Sequence, residues 1–168
     1  MATEITEFDY RYIILDDDPS AAATALTALW ESGINLVGFS EFPHSPGRSQ
    51  LDLIAEGTEG LATAAGEMGL LLSPKKTCFL IRGESRPGAV VAEILKSLAD
   101  ANIRVTALQA VSAGAGRFGA LLWVKPPDVK ATAKVLGAVV PLQETVEDDS
   151  DDEIPATEVP AWVQAHLA

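Results

Sequence analysis

The residues best suited to chemistry lie where apolar runs give way to helical periodicity. Ser85-Arg86-Pro87-Gly88-Ala89 follows the apolar stretch Cys78 to Ile81 and precedes a helix pattern. Backbone N–H groups at a helix start lack partners, and the helix dipole favours a carboxylate there. Gly88 lets a ligand approach the main chain, and Arg86 adds positive charge. The expected chemistry is anion binding, set against the plainer role of Pro87-Gly88 as a helix start. Asp16-Asp17-Asp18-Pro19 stands before an earlier helix pattern. Asp17 and Asp18 could hold a ligand ammonium group or a divalent cation. An Asp at such a place also caps the helix and complements its dipole. Oxygen-ligated metal sites need more converging groups than one run supplies, so no metal or cofactor is expected.

Other motifs are refused by their context. Gly114-Ala-Gly-Arg-Phe-Gly119 spells a dinucleotide fingerprint, but that motif should open a helix. Here Phe118 to Val124 reads as a strand, so the glycines mark a hairpin turn. Cys78 is the single cysteine, which excludes an intrachain disulfide and a cysteine-based zinc site. It has no neighbouring base in sequence and is expected to be buried and inert. His44 and His166 are too few for a histidine metal site or a triad. No nucleophile–base pair stands out, so no catalytic residue is assigned and the chain is not expected to be an enzyme.

The elements that position these residues come in two copies. Ala22, Ala25, Leu26, Leu29 and Trp30 recur, 69 residues later, as Val91, Ile94, Leu95, Leu98 and Ala99. The same offset carries Gly33-Ile34 to Asn102-Ile103, and Gly47-Arg48 to Gly116-Arg117. Each copy reads βαββαβ. In the first, Tyr10–Leu15 is a strand, Asp18 is the N-cap and Pro19 sits in the first helical turn. Trp30 falls on the apolar helix face and Gly33 ends the helix. Strands are expected at 34–40, 49–55 and 70–73, with a second helix buried through Leu61, Ala64, Ala65 and Met68. Pro43 to Gly47 reads as the intervening turn. In the second copy, strands are expected at 77–82, 103–111, 118–124 and 138–140, with a turn at 112–116. Its helices bury Val91, Ile94, Leu95 and Leu98, and Val129, Thr132, Ala133 and Leu136. Trp123 is expected in the core. The fold class is α+β: two ferredoxin-like repeats with antiparallel sheets and helices on one face, side by side. The divisions are an N-terminal extension 1–9, a first repeat 10–73, a second repeat 77–141 and an acidic tail 142–168.

The net charge of −12 is concentrated in that tail. Glu144 to Glu158 holds eight acidic residues and no lysine or arginine, leaving 16 acidic against 12 basic residues elsewhere. Nonspecific nucleic-acid binding needs a clustered basic surface, so no nucleic-acid partner is expected. The tail reads as a flexible tether ending in an apolar patch of Trp162, Val163 and Leu167. The acidic N-terminus does not resemble a signal peptide, and no apolar run reaches membrane-spanning length. A cytoplasmic protein without a membrane partner is expected.

The stretch from Ile81 to Ile103, with Arg86-Pro87-Gly88-Ala89 before an amphipathic helix and Asn102-Ile103 after it, resembles the opening of an ACT domain. The first copy is similar but more divergent. Asp18-Pro19-Ser20-Ala21 replaces the Arg-Pro-Gly-Ala, while Gly33-Ile34-Asn35 matches the family's Gly-Ile-Asn. The resemblance covers nearly all of 10–140. It implies a stand-alone tandem ACT protein that binds an amino acid or other small metabolite as a homodimer. It also implies that Asn35 contacts the ligand, with Arg104 at the equivalent place in the second copy, and that the ligand carboxylate meets the Gly88 loop. A regulatory subunit docking on a biosynthetic enzyme or a transcription factor is the alternative.

Overall fold

The computed structural model describes residues 3–57, 59–84 and 86–141; Ser85 and the acidic tail lie outside the described residues. The elements are β1 (Thr3–Asp16), α1 (Ala21–Glu31), β2 (Leu36–Ser45), β3 (Arg48–Ala55), α2 (Glu59–Glu67), β4 (Lys76–Glu84), α3 (Pro87–Asp100), β5 (Val105–Gly114), β6 (Arg117–Val124) and α4 (Val129–Leu136). A single 3-10 turn, Pro126–Asp128, leads into α4.

Helix ends follow their local chemistry. Gly33 (φ +78) and Asn102 (φ +57) adopt the left-handed conformation after α1 and α3. Behind them Ile34 N–H donates to the Leu29 carbonyl at 3.0 Å, and Ile103 N–H to that of Leu98 at 2.8 Å. These bonds satisfy carbonyls that the helix itself leaves open. The start of α1 differs from expectation. The Asp18 carboxylate accepts the Ser20 N–H at 2.8 Å, folding 18–20 into a turn. Pro19 therefore lies before the helix, and Ser20 takes the N-cap place expected for Asp18.

The strands form one six-stranded sheet in the order β2-β3-β1-β4-β6-β5. β1 and β4 are its centre, antiparallel from Thr3 opposite Gly83 to Tyr10 opposite Lys76. The C-terminal half of β1, from Arg11 to Asp16, pairs with β3, and Phe79 to Glu84 of β4 pairs with β6. Each copy thus contributes a three-stranded half-sheet.

Three sequence expectations change here. β1 extends back to Thr3, because residues 3–10 have a partner strand in β4. The strand expected at 138–140 is reduced to one parallel bridge from Val139 to Thr6. The edge of β4 that it would have taken is filled by β1. The strand expected at 70–73 is also absent, although Ser73 N–H donates to the Tyr12 carbonyl at 2.8 Å. Pro74 lacks the N–H needed to continue that ladder.

The hairpins are tighter than the sequence suggests. Pro43 to Ser45, including His44, belong to β2, and Ser112 to Gly114 belong to β5. Only Pro46-Gly47 and Ala115-Gly116 remain as turns, with positive φ at Gly47, Ala115 and Gly116.

The helices cover one face. Ile13, Leu51 and Leu53 pack with Ala25, Leu29 and Leu61 in the first half. Phe79, Ile81 and Leu122 pack with Val91, Ile94 and Leu98 in the second. Alternate residues on the opposite face build a third cluster of Phe8, Ile54, Cys78, Leu80 and Trp123. Tyr10 meets Trp123 edge to face at 6.4 Å. This cluster forms because the sheet curls until its outer strands approach. The Ser40 hydroxyl on β2 donates to the Gln109 side-chain oxygen on β5 at 3.0 Å.

Two helix residues expected inside are outside. Trp30 is 75% exposed, because Leu29 takes the buried direction and Trp30 lies about 100° further round the helix. Leu95 is also exposed, beside a stripe completed by Val91, Ile94 and Leu98.

Leu29→Ala should therefore cost about 2–5 kcal/mol in urea unfolding. Trp30→Ala should change stability by no more than about 0.5 kcal/mol. Equal losses at the two positions would contradict this packing.

Candidate functional site

The anion-site candidate sits where β4 hands the chain to α3. Arg86 is the N-cap residue in extended conformation, Pro87 occupies the first turn, and the Arg86 side chain makes no capping hydrogen bond. Arg86, Gly88 and Ala89 are exposed and Pro87 is half-buried. A Cβ placed on Gly88 would meet nothing within 4 Å. The helix start thus opens to solvent beside a guanidinium.

The matching place in the first half is occupied by its own acid. The Asp18 carboxylate accepts the Ser20 N–H and hydroxyl, which holds its pKa below the usual carboxylate range. Asp16 is ion-paired with Arg48, and Asp17 N–H donates to the Gly47 carbonyl. With Asp16 paired to Arg48, the charges of Asp17 and Asp18 still disfavour an anion at this end. Among the described residues, no group of three or more His, Cys, Asp or Glu side chains is arranged to hold a metal ion.

Asn35 lies at the other end of the same half-sheet. Leu36, which follows it, pairs with Ala55 at one end of β3, whereas Asp16 pairs with Arg48 at the other. The Asn35 amide donates to Glu56 Oε2 at 2.5 Å, and Glu56 N–H returns a bond to the Asn35 carbonyl. The fold therefore does not bring Asn35 together with Asp17 and Asp18.

Two features were not singled out from the sequence. One is a cleft of about 550 Å³ lined by Glu4, Arg82, Glu84, Arg117 and Gly119 with their neighbours. The sequence shows the alternation of charges along Arg82 to Glu84, but not that β4 would pair with β6 and set Glu84 opposite Arg117. The other is Asp52, a carboxylate only 4% exposed within an apolar strand. Gln50 Nε2 donates to its Oδ1 at 2.7 Å. Burial pushes the Asp52 carboxyl up, against the Gln50 bond and the Lys76 charge, which act downward. On the same face, burial first and then Asp52 raise the Tyr10 and Tyr12 phenols. The Lys76 ammonium lies 4.8 Å over the Tyr12 ring. Cys78 is fully buried, and burial pushes its thiol up to about 12.

No family-level description of known proteins matches the sequence, and no curated protein matches it. Solved structures do. A protein from Bacteroides thetaiotaomicron is 14% identical, with a TM-score of 0.67 over 79% of this chain and 88% of that one. The ligand-free regulatory subunit of aspartate kinase from Thermus thermophilus is 18% identical, with a TM-score of 0.54 over 81% of this chain and 93% of that one. The corresponding subunit from Thermus flavus is 16% identical, with a TM-score of 0.50 over 82% and 95%. The chain shares their fold. Among the described residues no helix is long and apolar enough to cross a membrane.

Two outcomes follow from the buried groups. Cys78 should not react with a thiol reagent at about pH 8 until the protein is unfolded, because little thiolate exists in the native state. Modification of the native protein at the unfolded rate would contradict its burial. Asp52 has a folded pKa above its unfolded value. Its contribution to stability is therefore present in acid and lost as pH rises through the folded pKa. Asp52→Asn keeps the acceptor for Gln50 and should raise the urea midpoint at about pH 7. The gain should shrink toward about pH 4, near the ordinary carboxyl range.

Proposed function

We propose that this chain is a noncatalytic regulatory protein of the ACT type that binds an amino acid. The observation that carries the reading is the start of α3, open at Gly88 and flanked by the exposed Arg86. The ligand carboxylate meets the first-turn N–H groups there, with Arg86 adding charge. The first half, with Asp18 folded onto its own helix start, is the weaker anion site. Asn35 contacts the ligand amino group where two copies of the chain meet in a homodimer. The fold shared with aspartate kinase regulatory subunits supports a regulatory role, although that likeness by itself is one of architecture.

The same likeness favours a second reading, in which the chain docks as a regulatory subunit on a biosynthetic enzyme. The first reading needs only the free chain and a ligand. The second predicts that a partner enzyme co-purifies and changes its activity when the chain is removed. A transcription factor as that partner would instead change its DNA occupancy.

A thermal-shift series against the twenty amino acids tests the ligand. At 100 times its Kd a ligand stabilises by about 2.7 kcal/mol, which is several degrees at this size. Gly88→Asp should abolish that shift by placing a like charge in the carboxylate's path. The circular dichroism of the free protein should stay unchanged, since Asp suits a first helical turn. Arg86→Ala should weaken binding less, because backbone donors remain. Normal binding by Gly88→Asp, with loss on changing Asp17 or Asn35, would move the anion site to the first half.

A further inference from the structure

The cross-strand charge pair beside each hairpin is closed in one half of the molecule and open in the other. In the first half Asp16 on β1 lies opposite Arg48 on β3, and Arg48 Nη1 is bonded to Asp16 Oδ1. In the second half Glu84 on β4 lies opposite Arg117 on β6 in the same antiparallel relation. Opposite charges at directly facing positions stabilise a strand pair when they meet. Among the described residues Glu84 and Arg117 form no ion pair, with each other or with any other group. Both line the 550 Å³ cleft, a volume within the range of small-molecule sites.

The rest of the cleft is balanced in charge. Arg82 Nη1 lies 3.9 Å from Glu4 Oε1 on the neighbouring strand. A simple anion entering here meets two carboxylates, and a simple cation meets two guanidinium groups. Gly119 leaves the floor empty, since a Cβ there would touch nothing within 4 Å. Strand alternation sets the face. Phe118, Ala120 and Leu122 point into the helix-side core, so Arg117 and Gly119 belong to the helix-free face. The cleft is thus separate from the start of α3.

We propose that this cleft is a second ligand site, built for a small zwitterion. The ligand carboxylate takes the planar guanidinium of Arg117 in a two-point contact, and its ammonium group takes Glu84. Gly119 makes room for the atoms between them. The ligand does for this half what Arg48 and Asp16 do for each other in the other half. The assignment uses none of the residues on which the Gly88 reading stands.

Amide NMR separates the two sites, with Gly119 reporting on the cleft and Gly88 on the helix start. The probes are the twenty L-amino acids and their N-acetyl and carboxamide forms. At least one free amino acid should shift the Gly119 signal saturably, and both blocked forms should fail to do so. Arg117→Ala, Glu84→Gln and Gly119→Val should each weaken that response roughly tenfold or more, the scale of a lost charged hydrogen bond. Gly119→Val fills open space with a residue favoured in strands, so its melting temperature should not fall below that of the parent. A Gly119 signal unmoved by every amino acid, or moved equally by the blocked forms, overturns the cleft. So does an unchanged response in Gly119→Val. Movement at Gly88 alone leaves the helix-start reading standing without the cleft, and movement at Gly119 alone does the reverse. Silence at both removes both.

Discussion

The antiparallel pairing of β1 with β4 is the constraint on which the rest of the molecule depends. Each copy of the repeat supplies three strands and two helices, near the lower limit for burying a self-sufficient core. Joining the first strand of one copy to the first strand of the other makes a single sheet with helices over both halves. The join needs a long β1, and the 14 residues from Thr3 to Asp16 provide it. The N-terminal half of that strand serves the second copy and the C-terminal half serves the first. The reduced strand at 138–140 is a consequence, since the edge of β4 that it would have taken is filled by β1.

Continuity across the centre also creates the third core. Ile54 and Trp123 occupy equivalent places in the two copies, and both reach the helix-free face beside Phe8, Cys78 and Leu80. Ser40 and Gln109 are another equivalent pair, 69 residues apart, and their hydrogen bond ties the two outer strands. Curling buries apolar area that a flat sheet would leave in water. It also takes Asp52 and Cys78 out of solvent, which explains the raised pKa of each.

The copies share a frame but not their chemistry. At the first helix start a carboxylate folds back on its own backbone, and at the second the turn stays open beside an arginine. At the first hairpin an ion pair is made, and at the second the same two kinds of charge stand apart at a cleft. In each comparison the polar groups of the first half are satisfied internally and those of the second half face outward. Glu84, Arg86 and Arg117 are exposed, so their charges are left to solvent or to a ligand. This asymmetry points both site assignments to the second half.

By itself the sequence determined what depends on near neighbours. The left-handed residues Gly33 and Asn102 end their helices, Gly116 turns its hairpin, and the spacing of Val91, Ile94 and Leu98 sets the buried stripe of α3. The 69-residue repeat made the fold class legible, because helix periods, strand alternation and turn residues are local signals. The Gly88 loop could be placed at a helix start for the same reason. Tertiary structure decided everything that rests on partners far apart in the chain. Nothing near Thr3 announces a partner at Gly83, and nothing near Leu51 announces that Asp52 would be enclosed. Trp30 is outside and Trp123 inside although both lie in apolar runs, since burial is set by which surface a neighbouring element covers. The cleft between Glu84 and Arg117 exists only once two strands are in register, and register is a property of the pair rather than of either sequence.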